Sequence, residues 1–331
     1  MKGLGRALVI ATAAMALVFL RNQLRQTGQA VQLPEETVAW TEAVTEAAVV
    51  TVPTEAPPDP REKACEKAAA KMIAGHIFVY DTADRKMLYT SAPATEELYP
   101  ASITKLFSAW VALRILEPED VVMAGKELGL LQPGSSTAFI AYGSYLTVEQ
   151  LVEAMLLPSG NDAAYVLAAA AGRKIADNQE LSAKKAVAVF VEEMNRMGEE
   201  VGLANSRFSN PDGYHGEEHH SCPGDLATIG ELALGDPIIA RYMGLQQDTV
   251  TFVSGETITW YNTNRLLNPE SAWYCASAVG MKTGYTQEAG YCLLAAFERE
   301  GGHILVGIFD GENKLSRYTD AVTLFQAVCN G

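Results

Sequence analysis

Two kinds of hydrophobic pattern divide this chain. Short strand-like runs lie towards its two ends, and helical periodicity fills the middle. His76–Tyr80 and Lys86–Ser91 are joined by Asp-Thr-Ala-Asp, which predicts a hairpin. Tyr291–Glu298 and His303–Phe309 flank Gly301-Gly302 and predict two more strands. Beyond them Leu315, Tyr318, Val322, Phe325 and Val328 fall at helical spacing and predict an amphipathic closing helix. An Ala/Lys/Glu-rich stretch, Arg61–Met72, predicts a helix before the first strand. In the middle, Pro100-Ala-Ser102 opens an apolar helix running to about Leu116, where Glu117-Pro118 ends it. Thr147-x-x-Gln150 is a capping box, and Leu151, Val152, Met155 and Leu156 share the face that follows. Ala163–Ala171 and Ala183–Gly198 complete a helical centre. The expected fold is α+β: an antiparallel sheet from both chain ends, flanked by helices, with an all-helical lobe inserted.

The first 60 residues carry a different pattern. Lys2 and Arg6 precede an apolar run from Ala7 to Leu20, followed by Arg21 and Arg25. This fits the h-region of a secretory signal and is short for a membrane span. No small-x-small cleavage site follows Leu20 closely, so residues 1–30 are expected to be a signal peptide or, slightly favoured, an uncleaved signal-anchor. Residues 31–60 hold five prolines and six acidic residues with no basic one, which reads as an extended, self-repelling linker. Residues 61–331 are then expected to form the folded domain that carries the chain's chemistry. The four basic side chains of residues 1–30 leave a formal charge of −19 on the rest of a chain whose total is −15. So acidic a body argues against nucleic acid as a partner, and an anionic substrate would need a local cation to hold it.

Candidate chemistry lies in three short words, in one order. In Ser102-Ile-Thr-Lys105 the hydroxyl and amine are three apart at a helix start, so both project from one face. Lys105 can deprotonate Ser102 only when neutral, which burial, the helix N-terminus or a second cation such as Lys282 would favour. Ser159-Gly-Asn161 follows Leu157-Pro158 on a loop: its hydroxyl can relay a proton, and its amide can hold Lys105 and a substrate backbone. Lys282-Thr283-Gly284 lies on a strand, where Lys282 and Thr283 would bind a terminal carboxylate and Gly284 would let a substrate backbone approach. Ser-x-x-Lys alone is common, and Ser182-Ala-Lys-Lys185 matches it too, but after the second word instead of before it. His215, His219 and His220, with Glu217 and Glu218, resemble a metal site superficially, yet read better as a solvated loop; no metal or cofactor is expected. His76 and His303 head apolar strands and read as structural. The five cysteines show no zinc spacing, and Cys65 and Cys329, on the first and last predicted helices, are the first candidates for a disulfide.

With these words in place, the chain resembles the D-alanyl-D-alanine carboxypeptidases, low-molecular-weight penicillin-binding proteins of serine peptidase family S11. Tyr99–Lys105, Leu157–Ala163, Phe208–Gly213, Asn262–Leu267 and Gly280–Thr286 all look like blocks of that family. The resemblance implies the β-lactamase/penicillin-binding-protein fold. It also implies attack by Ser102 on the penultimate D-alanine of a peptidoglycan stem peptide, an oxyanion held by the N–H groups of Ser102 and Tyr285, and acylation of the same serine by β-lactams. The 47 residues after Gly284 suffice for two strands and a helix, so anchoring at the outer face of a bacterial membrane is expected of the N-terminus, or secretion if the signal is cleaved. A class A-like β-lactamase would need a deacylating Glu in an E-x-x-L-N segment, where this chain reads Glu192-Glu-Met-Asn-Arg196. A non-hydrolytic penicillin sensor would need further membrane segments.

Overall fold

A computed structural model describes residues 59–331. The expected signal or anchor and nearly all of the expected linker lie outside the described residues. Pro60, placed in the linker from sequence, instead occupies the first turn of helix α1 (Pro60–Ala69), whose Asp59 cap accepts from the Arg61 N–H. Strands β1 (His76–Asp81) and β2 (Lys86–Thr90) follow, and β7 (Ala278–Thr286), β8 (Gly290–Arg299) and β9 (Gly302–Gly311) come from the other end of the chain. They form one antiparallel sheet in the order β2-β1-β9-β8-β7. Helix α8 (Ser316–Asn330) closes the chain.

The sheet is buried on both faces, which is why its central strands are almost continuously apolar. Alternation sorts them: Ile77, Val79, Leu293, Phe297, Ile304 and Ile308 pack with α1 and α8, while Phe78, Leu294, Leu305 and Phe309 join the core of the helical lobe. That lobe holds α2 (Thr104–Ala112), α3 (Val148–Leu156), α4 (Asn161–Ile175) and α5 (Ala183–Glu200). The capping box at Thr147 is present in both directions. Helix α2 stops a turn earlier than its apolar pattern suggests. Arg114 lies over the Trp110 ring and donates to the Trp110 carbonyl, taking up one acceptor freed at the helix end.

Two helices and four short strands are not foreshadowed by periodicity. Helices α6 (Pro223–Gly235) and α7 (Pro237–Gly244) both begin on proline. The ribbon of β5 (Gln247–Thr251) and β6 (Thr257–Tyr261) is tied by Thr249–Thr259 and Thr251–Thr257 hydroxyl pairs. A small β3–β4 pair (Val121–Met123 with Tyr145–Thr147) precedes α3.

The disulfide expectation is overturned. Helices α1 and α8 do pack on one face of the sheet, but Cys65 faces the core and Cys329 faces solvent, and both are free. No helix among the described residues is long and apolar enough to cross a membrane.

Candidate active site

Ser102 sits in a single 3-10 turn, Ala101–Ile103, that runs directly into α2. Ala101 takes φ +47°, a left-handed value rare for a residue with a Cβ. Two glycines permit it. A Cβ on Gly213, itself at φ +83°, would lie 1.9 Å from the Ala101 carbonyl oxygen. A Cβ on Gly284 would lie 2.8 Å from the Ala101 Cβ and 3.0 Å from the Ser102 nitrogen. The space expected for a substrate backbone at Gly284 is therefore taken partly by the serine's own turn.

All nine residues of α2 are buried, Lys105 among them. Its Nζ lies 2.8 Å from Ser102 Oγ and donates to the Asp212 carbonyl oxygen, also at 2.8 Å. A neutral amine so placed spends a proton on the carbonyl and turns its lone pair to the hydroxyl. Burial draws Lys105 down to about 8, opposed by the charges of Asp212 and Asp162. Lys282 on β7 is equally buried and pushed well below its ordinary value, by desolvation first and then by Lys105 and Arg317. Its Nζ bonds the Thr283 carbonyl.

The second word also stands at a strained position. Ser159 has φ +66° and precedes α4, whose first residue is Asn161. The Asn161 Nδ2 donates to Ser135 Oγ at 3.0 Å, and its Oδ1 is buried with no partner. The grip on Lys105 expected of this amide comes instead from the Asp212 carbonyl. Asp162 accepts from the Ala138 and Ile140 N–H groups and so pins the 135–140 loop to the start of α4.

These segments enclose a cleft of about 800 Å³. Ser102, Ser159, Asn161, Thr283, Gly284 and Tyr285 reach its wall, and Lys105 and Lys282 lie behind it. The eight candidate residues thus gather around one cavity, along the outer edge of β7. Thr283 Oγ1 donates to Thr263 Oγ1 at 2.6 Å. A further cation, Arg317 of α8, was hidden in the sequence inside an apolar helix face. It is 4% exposed, donates to the Gly284 and Cys292 carbonyls, reaches the cleft, and keeps an unpartnered Nε. Among the ten described arginines, eight lie against a carboxylate; Arg265 and Arg317 do not, and both line this cleft. In so acidic a chain, that is where unspent positive charge collects.

The histidine segment is the loop expected, with Glu217 and Glu218 exposed and His215 and His220 half-buried, but one of its rings is not solvated. His219 is fully buried, and its Nδ1 accepts the Ser209 N–H, so its Nε2 carries the proton and donates to Thr104 Oγ1 at 2.9 Å. Burial holds it neutral, at about 3. His215 lies 2.7 Å from Glu288, and His220 3.7 Å from Glu97. The three rings diverge, and no cluster able to hold a metal occurs among the described residues. Asn195, in the Glu192–Arg196 stretch, clamps the Phe208 N–H and C=O and so braces the Asp212 segment.

Residues 62–313 match the family described as D-alanyl-D-alanine carboxypeptidase. The chain is 28% identical over 235 residues to D-alanyl-D-alanine carboxypeptidase DacF of Bacillus subtilis, covering 70% of this chain and 56% of DacF. It is 30% identical over 246 residues to the D-alanyl-D-alanine carboxypeptidase of Streptomyces sp. K15, covering 72% and 80%. The crystal structure of the Streptomyces K15 DD-transpeptidase superposes with a TM-score of 0.71 at 27% identity, covering 79% of this chain and 98% of that one. The chain spans little more than half the length of DacF and of DacA from Haemophilus influenzae.

Proposed function

The chain belongs to the D-alanyl-D-alanine carboxypeptidase family, serine peptidase family S11, and on that footing we propose that it removes the terminal D-alanine from peptidoglycan stem pentapeptides through an acyl-enzyme on Ser102. One observation carries the reading: a fully buried amine, drawn towards neutrality, stands 2.8 Å from the Ser102 hydroxyl on the floor of a cleft beside an open strand edge. Such an edge offers backbone N–H and C=O groups to an extended peptide.

In the proposed reaction Lys105 takes the Ser102 proton as Oγ bonds to the carbonyl carbon of the penultimate D-alanine. The oxyanion lies between the N–H groups of Ser102 and Tyr285. The C–N bond then breaks, and the proton returns to the departing amine by way of the Ser159 hydroxyl. Water hydrolyses the ester with Lys105 again as base. Asn161 holds the substrate backbone. Thr283 and Arg317 receive the terminal carboxylate, and Lys282, buried behind the wall and pushed towards its neutral form, holds the Thr283 carbonyl. A β-lactam acylates the same serine by opening its ring, with no amine to lose. No glutamate is among the described residues lining the cleft, so the deacylating group of a class A-like β-lactamase has no counterpart there. We assign residues 1–30 to a signal or signal-anchor and the acidic stretch after them to a spacer, placing the domain outside the cell membrane.

The test is release of D-alanine from a peptide ending in D-Ala-D-Ala, alongside labelling by a fluorescent penicillin. Wild type should do both, Ser102→Ala neither, and Lys105→Ala should acylate some 10²–10⁴-fold more slowly. Undiminished labelling of Lys105→Ala, or no release by wild type, would overturn the assignment.

A further inference from the structure

One buried acid beside the cleft has no part in the reaction as written. Asp212 is 1% exposed and lies on the Phe208–Gly213 segment, whose Phe208 is held by Asn195 and whose Gly213 N–H is held by Asn210 Oδ1. Its backbone carbonyl receives the Lys105 amine. Its carboxyl group also reaches the cleft wall: Oδ1 takes only a long 3.3 Å bond from the Tyr214 N–H, and Oδ2 has no partner. A buried carboxylate oxygen without a donor is costly unless something nearby uses its charge.

The proposed mechanism creates such a need. One amine must accept a proton from Ser102 and then yield it for the leaving group. A base too weak does the first badly, and an acid too weak does the second badly; a group balanced near the working pH does both. Four ionisable groups surround Lys105: Asp212 from the segment it bonds, Asp162 from the start of α4, Lys282 from β7, and His219 below. Desolvation disfavours the ammonium, and His219 is held neutral. Asp162 spends its oxygens on the N–H groups of Ala138, Ile140 and Ala163. Asp212 alone of the two acids keeps an oxygen uncommitted.

We propose that Asp212 is a positioning residue for Lys105: its carbonyl fixes the amine against the Ser102 hydroxyl, and its carboxylate is the counter-charge that lets one amine serve as both base and acid. The inference rests on the proposed function only in giving Lys105 that double duty. The electrostatic statement stands by itself: burial pushes the Asp212 carboxyl up, Lys105 draws it down, and while ionised it favours the ammonium. Removing the negative charge disfavours the ammonium, so Lys105 in Asp212→Asn should lose its proton at lower pH than in wild type, by about one pH unit or more.

The experiment follows Lys105 directly, by NMR of ¹³C-labelled lysine, in wild type, Asp212→Asn and Asp212→Glu. In parallel, the rate of acylation by a chromogenic β-lactam is measured against pH. The Lys105 titration and the acid limb of acylation should both move down in Asp212→Asn and return towards wild type in Asp212→Glu. A merely structural role would lower the rate at every pH and leave both midpoints in place, and that result overturns the proposal. Should Asp212→Asn fail to fold, the unaltered protein decides: the Asp212 carboxyl ¹³C shift must follow the Lys105 titration, and independent titration refutes the coupling. A Lys105 midpoint that moves in a protein that no β-lactam acylates would sustain Asp212 as counter-charge while overturning the proposed function.

Discussion

Replacing Gly284 by alanine tests how tightly the sheet is joined to the Ser102 turn. The new methyl carbon would stand 2.8 Å from the Ala101 Cβ and 3.0 Å from the Ser102 nitrogen. Ordinary contact begins near 3.4 Å, so β7 and the serine turn must part by about 0.6 Å. Neither side yields easily. Strand β7 is laddered to β8 and held at the Gly284 carbonyl by Arg317, and Ala101 is wedged at φ +47° against Gly213. Overpacking of this kind costs about 1–3 kcal/mol, which for a domain of this size lowers the melting temperature by roughly 2–12 °C. The rate should suffer more. A displacement of 1 Å at reacting atoms can cost on the order of 10²-fold, so a shift about half as large should slow acylation roughly tenfold. The assay is the second-order constant for labelling by a fluorescent penicillin, with a melting curve on the same sample. Acylation at the wild-type rate with melting unchanged would show that the turn and β7 are not in the register described, and the argument from Gly284 would fail.

Two other perturbations probe the lobe behind the cleft. Glu153 of α3 is buried, its Oε1 has no partner, and desolvation together with Asp248 raises it to about 8. The folded protein therefore keeps a proton that the unfolded chain releases near pH 4.5, so stability should fall as pH rises from about 4.5 to 8, by up to roughly 1.4 kcal/mol per pH unit. Urea midpoints at pH 5 and pH 8 should diverge for wild type and lie closer together for Glu153→Gln; parallel behaviour would refute the assignment. Asp162→Ala should strand the N–H groups of Ala138, Ile140 and Ala163, each costing about 1–3 kcal/mol where water cannot reach it, and should expose the 135–140 loop to limited proteolysis. A variant that melts like wild type and resists cleavage would contradict that role.

The parts of the fold legible in the sequence are those where one period dominates. The apolar runs of β1, β8 and β9 announce themselves because both sheet faces are covered, and α3 is announced by its capping box. The β5–β6 ribbon is not, since its strands are threonine-rich and largely exposed, with little hydrophobic signal. Helices α6 and α7 are masked by their opening prolines and by Gly224, although proline at a first turn is itself a helix start. In the site, order and spacing bring out the three words because each residue type suits a distinct chemical task. Asp212 and Arg317 escape because the tasks proposed for them are electrostatic and depend on which chain segment packs beside them. His219 escapes for a related reason. Surrounded by polar neighbours in the sequence, it reads as solvated, whereas tertiary packing buries it under Thr104.

The order of strands in the sheet has a temporal consequence. The serine lies early in the chain and its opposing lysine about 180 residues later, and the strand between β1 and β8 is the last of all, β9. A ribosome delivers these parts N-terminus first, and contacts so distant in sequence form slowly. Until residues 282–331 emerge, β1–β2 lacks its β9 neighbour, Arg317 is missing, and Ala101 meets Gly213 but not the Gly284 side of its left-handed turn. A nascent chain, or one terminated before α8, would thus carry Ser102 without its opposing strand, and reactivity at Ser102 would begin only once α8 has been made.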